Sequence, residues 1–345
     1  MSKAQHACTI AALACGLLAS LPSQAADQAL IDAAKREGSV TWYTNQILDQ
    51  FARPVAEAFE KKYGIKVSPL RADNAEISLR VMNEAQAGKL QADVVDGTAA
   101  ATTLEKSGLI MKWVPDRAAS LPKQFVDPNG YWIATNIYVL TPGYNTDLVP
   151  KGTEPKTWED LLDPKWKGRM AWSAPPASYL VPQFIGVVLS EYGEEKGRAY
   201  LKELAKQNIA PLGVSARTVV DQMIAGEYAI GLQIFNHHTV ISAQKGAPSA
   251  WIPMKPAVLS VLSVMSVVNG GPHPNAGKLL TDFLVSEEGQ KLWRDAGYIP
   301  IDANVPIMDP ALRPDGKTLR AVYLTPEEID RSLAKWSKIY DEIFR

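Results

Sequence analysis

Alternation between strand-like and helix-like segments is the feature that most restricts the fold of this sequence. The run from Ser39 to Tyr43 is rich in β-branched and aromatic residues, and apolar residues then recur at helical spacing until Gly64. The same order follows again, with a strand at 65–67, a helix closed by Gly88 and a strand at 92–95. Repeated βα units predict an α/β lobe built around a parallel sheet.

A second set of βα signals lies later in the chain. The stretch 214–217 precedes a helical pattern that ends at Gly226, and 228–234 again predicts a strand. A chain of 345 residues exceeds what a single core usually holds, so we expect two domains. No low-complexity tether separates the two sets of signals, which favours lobes joined by crossing strands over lobes on a flexible linker.

The first 25 residues have the features of an export signal. Lys3 supplies a positive charge, the apolar run 7–21 is too short to span a bilayer, and the stretch 23–25 offers small residues at both cleavage positions. We therefore expect a signal peptide at 1–25 and a mature chain that begins near Ala26 in the periplasm. Both cysteines, Cys8 and Cys15, fall inside this leader, so no disulfide or thiol chemistry is expected. A lipid anchor on Cys15 stays open, although a free form is preferred.

Charge and motif content exclude several classes of function. The formal net charge is −1 with both signs interspersed, which does not suggest a nucleic-acid partner. The nearest approach to a serine-hydrolase elbow, Gly213 to Arg217, lacks the second glycine, and the chain has no zinc-protease, P-loop or dinucleotide motif. A glycosidase with a carboxylate pair stays open, because spacing alone does not test it. The motif content therefore leads us to expect that the protein has no cofactor and is not an enzyme.

Several phrases together resemble the extracellular solute-binding proteins of ABC importers, of the ferric-iron-transporter type. The resemblance runs from about 38 to 305, and its most specific part is Thr-Trp-Glu-Asp-Leu-Leu-Asp-Pro-Lys-Trp-Lys-Gly at 157–168. The other phrases that carry it are at 56–67, 92–95, 271–276, 283–290 and 297–300.

The resemblance implies the class II periplasmic-binding-protein architecture, in which two doubly wound α/β lobes are joined by two crossing strands and close over a solute. We expect the crossing strands near 139–144 and 262–268. Lobe one would then comprise 26–139 plus 264–345, and lobe two 140–263. The implied partners are the permease and the ATPase of an importer, and a monomer is expected.

Ligands of doubly wound lobes bind at the carboxyl ends of strands and at helix N-termini, which selects six loops in this chain. The ligand residues predicted in lobe one are Tyr43, Asn45, Gln46, Arg71, Glu76, Gly97 and Thr98. Those predicted in lobe two are Ser173, Ser178, Tyr179, Ser215, Arg217, Asn236, His237 and His238. Arg71 and Arg217 are the candidates for holding an anion, because a guanidinium can bind a carboxylate or phosphate with two hydrogen bonds. Ser215 is equally explained as a helix cap.

The loop at 236–238 decides between cargo classes. Ferric members of the resembling family hold iron with adjacent tyrosines at this loop and a carboxylate that aligns with Glu76, but this chain has His237 and His238 there. Because ferric iron prefers oxygen ligands, we expect no metal and prefer an organic or phosphate-bearing anion. A different metal site at Glu76 and His237, ferric iron or an iron chelate as the solute, and an enzyme or sensor partner on the same fold stay open. On the assumption that 236–238 continues a strand, we expect at most one histidine to face the cleft.

Overall fold

The computed structural model describes residues 28–345. The predicted signal peptide and both cysteines lie outside the described residues. Within 28–345, no helix is both long enough and apolar enough to cross a membrane.

Helices and strands alternate along the chain as the sequence predicts. The helices are α1 (Gln28–Glu37), α2 (Arg53–Tyr63), α3 (Asn74–Gln86), α4 (Thr98–Lys106), α5 (Leu180–Ala205), α6 (Ala216–Ile224), α7 (Asn236–Gln244), α8 (Pro274–Leu284), α9 (Glu287–Asp295) and α10 (Pro326–Phe344). The strands are β1 (Ser39–Thr44), β2 (Lys66–Arg71), β3 (Val94–Asp96), β4 (Ile133–Asn145), β5 (Met170–Ser173), β6 (Ala210–Leu212), β7 (Ile230–Phe235), β8 (Ser249–Trp251), β9 (Val258–Val267), β10 (Ile299–Pro300) and β11 (Ala321–Leu324).

The strands form one continuous sheet in the order β2-β1-β3-β9-β4-β7-β5-β6. At one end β1 pairs in parallel with β2 and β3, and at the other β5 pairs in parallel with β6 and β7. The long strands β4 and β9 pair antiparallel between these two parallel groups. Each also pairs with one group, β9 with β3 and β4 with β7. The predicted class II architecture is confirmed, with two α/β lobes joined by β4 and β9.

Apolar packing holds each lobe together. In lobe one, Phe51 stacks on Trp293 with ring centroids 3.6 Å apart, which fixes the start of α2 against α9. In lobe two, Trp158 packs edge-on against Phe184 at 5.6 Å, so the turn before β5 is held on α5. Aromatic pairs of this kind add about 1 kcal/mol each beyond the area that they bury.

The C-terminal helix α10 crosses to the second lobe, which the sequence did not predict. Trp336 packs on Gly186 of α5 so closely that a Cβ at Gly186 would overlap the indole ring. On its other side α10 reaches α4, where Lys106 Nζ lies 2.5 Å from Asp330 Oδ2. The division into 26–139 plus 264–345 and 140–263 stays a prediction, and the packing of α10 on α5 favours moving that helix to lobe two.

Candidate functional site

The polar loops at the carboxyl ends of the parallel strands lead into helix N-termini. The start of α3 is capped by Asp73, whose Oδ1 accepts the backbone N–H of Glu76 at 2.8 Å, and the start of α6 is capped by Ser215. No side chain caps α4, which begins after Gly97, or α7, which begins after Phe235. The first backbone N–H groups of α4 and α7 therefore keep the capacity to bind an acceptor.

On the lobe-one side, a buried carboxylate organises the loop after β1. Asp96 is 2 % exposed and accepts hydrogen bonds from Trp42 Nε1 at 3.0 Å, from the backbone N–H of Asn45 at 2.9 Å and from the hydroxyl of Thr44. Burial raises the pKa of Asp96 to about 7, and these hydrogen bonds oppose the rise. The carboxyl group lies behind the loop and fixes its backbone.

Gln46 joins the same loop to both crossing strands. Its Nε2 donates to Asn45 Oδ1 at 2.9 Å and to Ser263 Oγ of β9 at 3.2 Å. Its Oε1 accepts the hydroxyl of Tyr138 of β4 at 3.0 Å. Gln46 is 2 % exposed, so the structure shows its side chain as an internal link and not as an open donor.

Gly97 allows the close approach of three loops. Its φ is 124°, and a Cβ there would overlap Asn74 Oδ1 at the start of α3 and lie 3.3 Å from Asn45 Nδ2. Asn74 Oδ1 is buried and has no hydrogen-bond partner within the described residues. The hydroxyl of Thr98 donates to the backbone carbonyl of Leu262, which ties the start of α4 to β9.

On the lobe-two side, the assumption that the predicted loop at 236–238 continues the strand is wrong. These residues form the first turn of α7, so the strand rule that sends neighbouring side chains to opposite faces does not apply. The rings of His237 and His238 lie side by side with centroids 4.5 Å apart. Asn236 Oδ1 and the Nδ1 atoms of both histidines are buried without a partner among residues 28–345.

Aromatic rings connect this turn to the crossing strand. Tyr138 of β4 lies 5.1 Å from Phe235 and 6.1 Å from His237 between ring centroids. Tyr298, which follows α9, lies 5.2 Å from His237 and 6.0 Å from Tyr138. Side chains from both lobes and from a crossing strand therefore meet at His237.

Burial sets the charge state of the histidines. It lowers the pKa of His237 well below the ordinary value, with further lowering by His238 and by the positive charge of Arg217. It lowers the pKa of His238 to about 4, again with help from Arg217, while Asp221 opposes the shift. Both imidazoles are therefore neutral at pH 7, and each offers one donor and one acceptor.

The positive charges of the two arginines selected from the sequence lower the pKa values of side chains in this group of rings. Burial raises the pKa of Tyr298, and the positive charge of Arg71 opposes that rise, as that of Arg217 acts on the histidines. Arg71 is exposed and forms no ion pair within 28–345. Arg217 Nη2 lies 2.6 Å from Asp221 Oδ1, and its Nη1 donates to Ser242 Oγ at 3.1 Å. Arg71 is the freer of the two.

Other predicted residues lie elsewhere or have local roles. Tyr43 is 1 % exposed in the core of lobe one, where its hydroxyl donates to Glu84 at 2.6 Å, so its position does not support the predicted ligand contact. Ser173 donates to the backbone carbonyl of Val214, and Ser178 accepts the backbone N–H of Leu180 at 3.2 Å.

Three more of the predicted residues lie outside the group of rings. Tyr179 is 44 % exposed before α5. Glu76 is exposed without a side-chain partner in the described part of the chain. Ser215 Oγ accepts the backbone N–H of Thr218 at 3.1 Å, which is the cap predicted as its alternative role.

Asp96, Tyr138, Ser263 and Tyr298 were not predicted. A signal existed for Asp96, because it directly follows the strand predicted at 92–95, but its role depends on Trp42 and Thr44 of a neighbouring strand. No comparable signal marks Tyr138 or Tyr298.

The cavities and acidic groups do not show a separate site near these loops. Residues 28–345 contain no group of three or more histidine, cysteine, aspartate and glutamate side chains that could hold a metal ion. An open cavity of about 630 Å³ lies on the outer surface of lobe two, lined by Tyr192 and Tyr200 of α5 and by Glu159. A crevice of about 10 Å³ lies against His237 and Tyr298. We place the candidate site where the polar loops meet, because side chains of both lobes converge there, whereas the larger cavity is lined only by α5 and by the turn at 159–162.

Comparison with known proteins gives the same family for most of the chain. Residues 55–314 match the family model of the bacterial extracellular solute-binding proteins. A putative 2-aminoethylphosphonate-binding periplasmic protein of Salmonella typhimurium is 25 % identical over 298 residues, which cover 81 % of this chain and 80 % of that protein.

Two solved structures are similar throughout. Iron-bound HitA from Pseudomonas aeruginosa has a TM-score of 0.72 and 24 % identity, covering 87 % of this chain and 99 % of that one. AfuA from Actinobacillus pleuropneumoniae, with fructose-6-phosphate bound, has a TM-score of 0.71 and 24 % identity, covering 89 % and 98 %. The chain therefore belongs to the bacterial extracellular solute-binding proteins, the components of ABC transporters that capture the solute.

Proposed function

We propose that this protein binds a small organic or phosphate-bearing anion in the periplasm and delivers it, as a monomer, to the permease and ATPase of an importer. The observation that carries the proposal is the convergence of two guanidinium charges on one site. Arg71 lies beside Thr44 at the carboxyl ends of β1 and β2, Arg217 Nη1 donates to Ser242 Oγ of α7 at 3.1 Å, and the rings of Tyr298 and His237 lie 5.2 Å apart. A site with positive charge on two sides favours an anion.

The free polar groups of the site suit the same kind of solute. The N-terminus of α7 has no side-chain cap, and neutral His237 and His238 can each donate one hydrogen bond to a phosphoryl or carboxylate oxygen. Asn74 Oδ1, on the other side, is buried and has no partner within the described residues. We propose as solute-contacting residues Asn45, Arg71, Gly97, Thr98, Arg217, Asn236, His237 and His238.

Closure follows from the arrangement of the two lobes. The loop after β1 and the start of α7 belong to different lobes, which β4 and β9 join within the sheet. A solute that contacts both sides stabilises the closed form by its extra contacts in that form. The importer can then distinguish loaded from empty protein by shape.

Ferric iron is the second candidate, because related proteins bind it by name or in their solved structures. The side chains at the site favour ferric iron less than they favour an anion. A ferric site needs deprotonated oxygen ligands, whereas burial raises the pKa of Tyr138 to about 12 and that of Tyr298 still further above its ordinary value. The turn at 236–238 supplies neutral imidazoles.

A hydrolase on the same fold is the third candidate, and one arrangement brings it into consideration. His273 Nδ1 lies 3.0 Å from Asp93 Oδ2, and His273 Nε2 lies 3.3 Å from Ser39 Oγ, which is the order of groups in a serine hydrolase. Asp93 also accepts the backbone N–H groups of Thr41 at 2.7 Å and His273 at 2.6 Å. We therefore assign Asp93 to joining β1 to the start of α8. Labelling of Ser39 by a fluorophosphonate, abolished in His273→Ala, would favour the hydrolase instead.

A thermal-shift screen with matched compounds tests the proposed function. Fructose 6-phosphate and 2-aminoethylphosphonate are compared with fructose and ethanolamine, and ferric citrate is the metal arm. Saturation at about 100 times Kd adds about 2.7 kcal/mol of stability, which such a screen detects. We expect stabilisation by an anionic compound and none by its neutral or cationic partner.

Arginine variants then connect the binding to the site. Arg71→Ala should weaken the best anion roughly tenfold or more, since a charged hydrogen bond contributes about 1.5 to 3 kcal/mol. Arg36→Ala, which removes an exposed guanidinium on α1, is the matched control and should leave the affinity unchanged. Stabilisation by ferric citrate alone, or equal binding by both arginine variants, would exclude the anion site described here.

A further inference from the structure

We infer that Gln46 and Asp96 are positioning residues that fix the side-chain amide of Asn45 toward the start of α4 without contacting the solute themselves. The inference rests on the proposed function, because it explains how lobe one presents a donor to an anion. It also removes Gln46 from the residues predicted to hold the ligand.

Every polar atom of the Gln46 side chain already has a hydrogen-bond partner. Both hydrogens of Nε2 are used, by Asn45 Oδ1 at 2.9 Å and by Ser263 Oγ at 3.2 Å. The carbonyl Oε1 receives the hydroxyl of Tyr138 at 3.0 Å. At 2 % exposure, the amide would have to break one of these bonds to reach a solute, and a buried group left unpaired is unfavourable.

Gln46 determines the orientation of the Asn45 side-chain amide. Because Oδ1 of Asn45 is held by Gln46, its Nδ2 must point the other way, and it lies 3.3 Å from where a Cβ of Gly97 would be. Nδ2 makes no hydrogen bond with any residue that the structure describes. The amide therefore directs two free N–H donors at the uncapped start of α4.

Asp96 supports the backbone of the same loop. Asp96 accepts the backbone N–H of Asn45 at 2.9 Å and the hydroxyl of Thr44, and Thr44 Oγ1 in turn accepts the backbone N–H of Gln46 at 3.0 Å. The indole of Trp42 donates to the same carboxylate at 3.0 Å. One buried carboxylate thus holds the backbone of both amide residues, and Tyr138 continues the connection to Phe235 and His237 of lobe two.

The inference is tested first on the protein without solute. Gln46→Met keeps the size of the side chain and removes its three hydrogen bonds. Gln50→Met is the matched control, because Gln50 donates one bond to the backbone carbonyl of Ala296 in a nearby segment. In ¹H–¹⁵N spectra, the side-chain NH₂ pair of Asn45 should shift and broaden in Gln46→Met and stay unchanged in Gln50→Met. An unchanged Asn45 pair in Gln46→Met would overturn the inference whatever the solute is.

A double-mutant cycle separates positioning from direct contact. The probe is the tighter binder of fructose 6-phosphate and 2-aminoethylphosphonate, measured by calorimetry. Gln46→Met should weaken binding roughly tenfold in the wild-type background and less than about twofold when Asn45→Ala is already present, because Gln46 acts through Asn45. Equal losses in both backgrounds would show that Gln46 acts by itself and overturn the inference.

If Gln46→Met does not fold, Tyr138→Phe removes one of the three bonds and keeps the ring, and it is carried through the same spectra and the same cycle. If neither probe binds wild type, the proposed function fails, while the spectra of the free protein still decide whether Gln46 positions Asn45.

Discussion

Around the loop after β1, both donors and the carbonyl of the Gln46 side chain have protein partners, and Asp96 accepts three hydrogen bonds. At the start of α7, by contrast, Asn236 Oδ1 and the Nδ1 atoms of His237 and His238 are buried without partners in the described chain. The two regions lie on opposite lobes and meet at Tyr138.

The difference indicates separate tasks for the two lobes. The side chains of Gln46 and Asp96 are paired before the solute arrives, so lobe one holds the free Nδ2 of Asn45 in a fixed position. An unpaired buried polar group destabilises a protein by about 1 to 3 kcal/mol. A solute that pairs with the groups at α7 recovers that free energy, and it gains further contacts with lobe one only when the lobes are closed, which couples binding to closure.

The largest expected effect is at Gly97, on the rigid side. Gly97→Ala places a methyl group against Asn74 Oδ1 at a φ of 124°, so overpacking and backbone strain add to about 3 kcal/mol of lost stability. Solute binding should fall with it. Gly213→Ala, with open space and no positive φ, is the control and should change the free energy of unfolding by less than about 0.5 kcal/mol. Chemical denaturation measures both, and a Gly97→Ala protein as stable as the control would contradict the packed-loop description.

The pH dependence of His238 tests the unpaired side. Its folded pKa of about 4 lies below the unfolded value near 6.5, so the unfolded state binds more protons and stability is lost as pH falls through that window. Between pH 7 and pH 5 the loss should be about 2 kcal/mol, and His238→Gln should remove it. Denaturation at several pH values measures the slope. An identical slope in wild type and variant would show that His238 is not held neutral by burial.

Asp96 should give the opposite slope. Its folded pKa of about 7 lies above the unfolded value near 3.9, so the folded state binds more protons and stability falls as pH rises from about 4 to 7. The contribution between pH 5 and pH 7 is also about 2 kcal/mol, with a sign that offsets His238. Asp96→Asn should therefore make the measured stability rise more steeply with pH than it does in wild type. Only the slopes are compared, because the variant also changes the hydrogen bonds to Trp42 and Asn45. A flatter rise in the variant would contradict the burial of an ionisable carboxyl at this place.

The smallest expected effect is at Ser215, which lies in a predicted ligand loop but caps α6. Ser215→Ala should lower stability by about 1 kcal/mol through loss of the cap and leave solute affinity unchanged. Ser215→Asp, which keeps a capping oxygen, should restore stability. If Ser215→Ala binds the solute more weakly under conditions where the variant is fully folded, Ser215 contacts the solute after all.

The parts of the fold that local sequence determines were predictable. Strand β1, helices α2 and α3, and strand β3 follow from short-range periodicity and from glycines that end helices, such as Gly64 at the end of α2. The packing of α10 on α5 depends on the contact of Trp336 with Gly186, about 150 residues away in sequence, and no local pattern announces it.

The site was predictable in its loops but not in its side-chain directions. Tyr43 and Trp42 are neighbours on a strand whose two faces are both buried, so alternation does not tell which ring turns toward Asp96. The start of α7 has no apolar period, since Asn, His and Thr follow one another, and these residues were predicted to be a loop after a strand. Gln46 could be placed in the right loop, but its inward amide depends on Tyr138 and Ser263 from distant strands.

The most direct measurement for the central claim is a crystal structure of the mature protein with the tightest-binding anion. We expect one anion between the lobes, with its oxygens within about 3.2 Å of the Arg71 guanidinium and of a nitrogen of His237 or His238. The side-chain amide of Gln46 should still bind Asn45, Ser263 and Tyr138. An anion bound away from Arg71 and the start of α7, or a metal ion held at that place, would contradict the account.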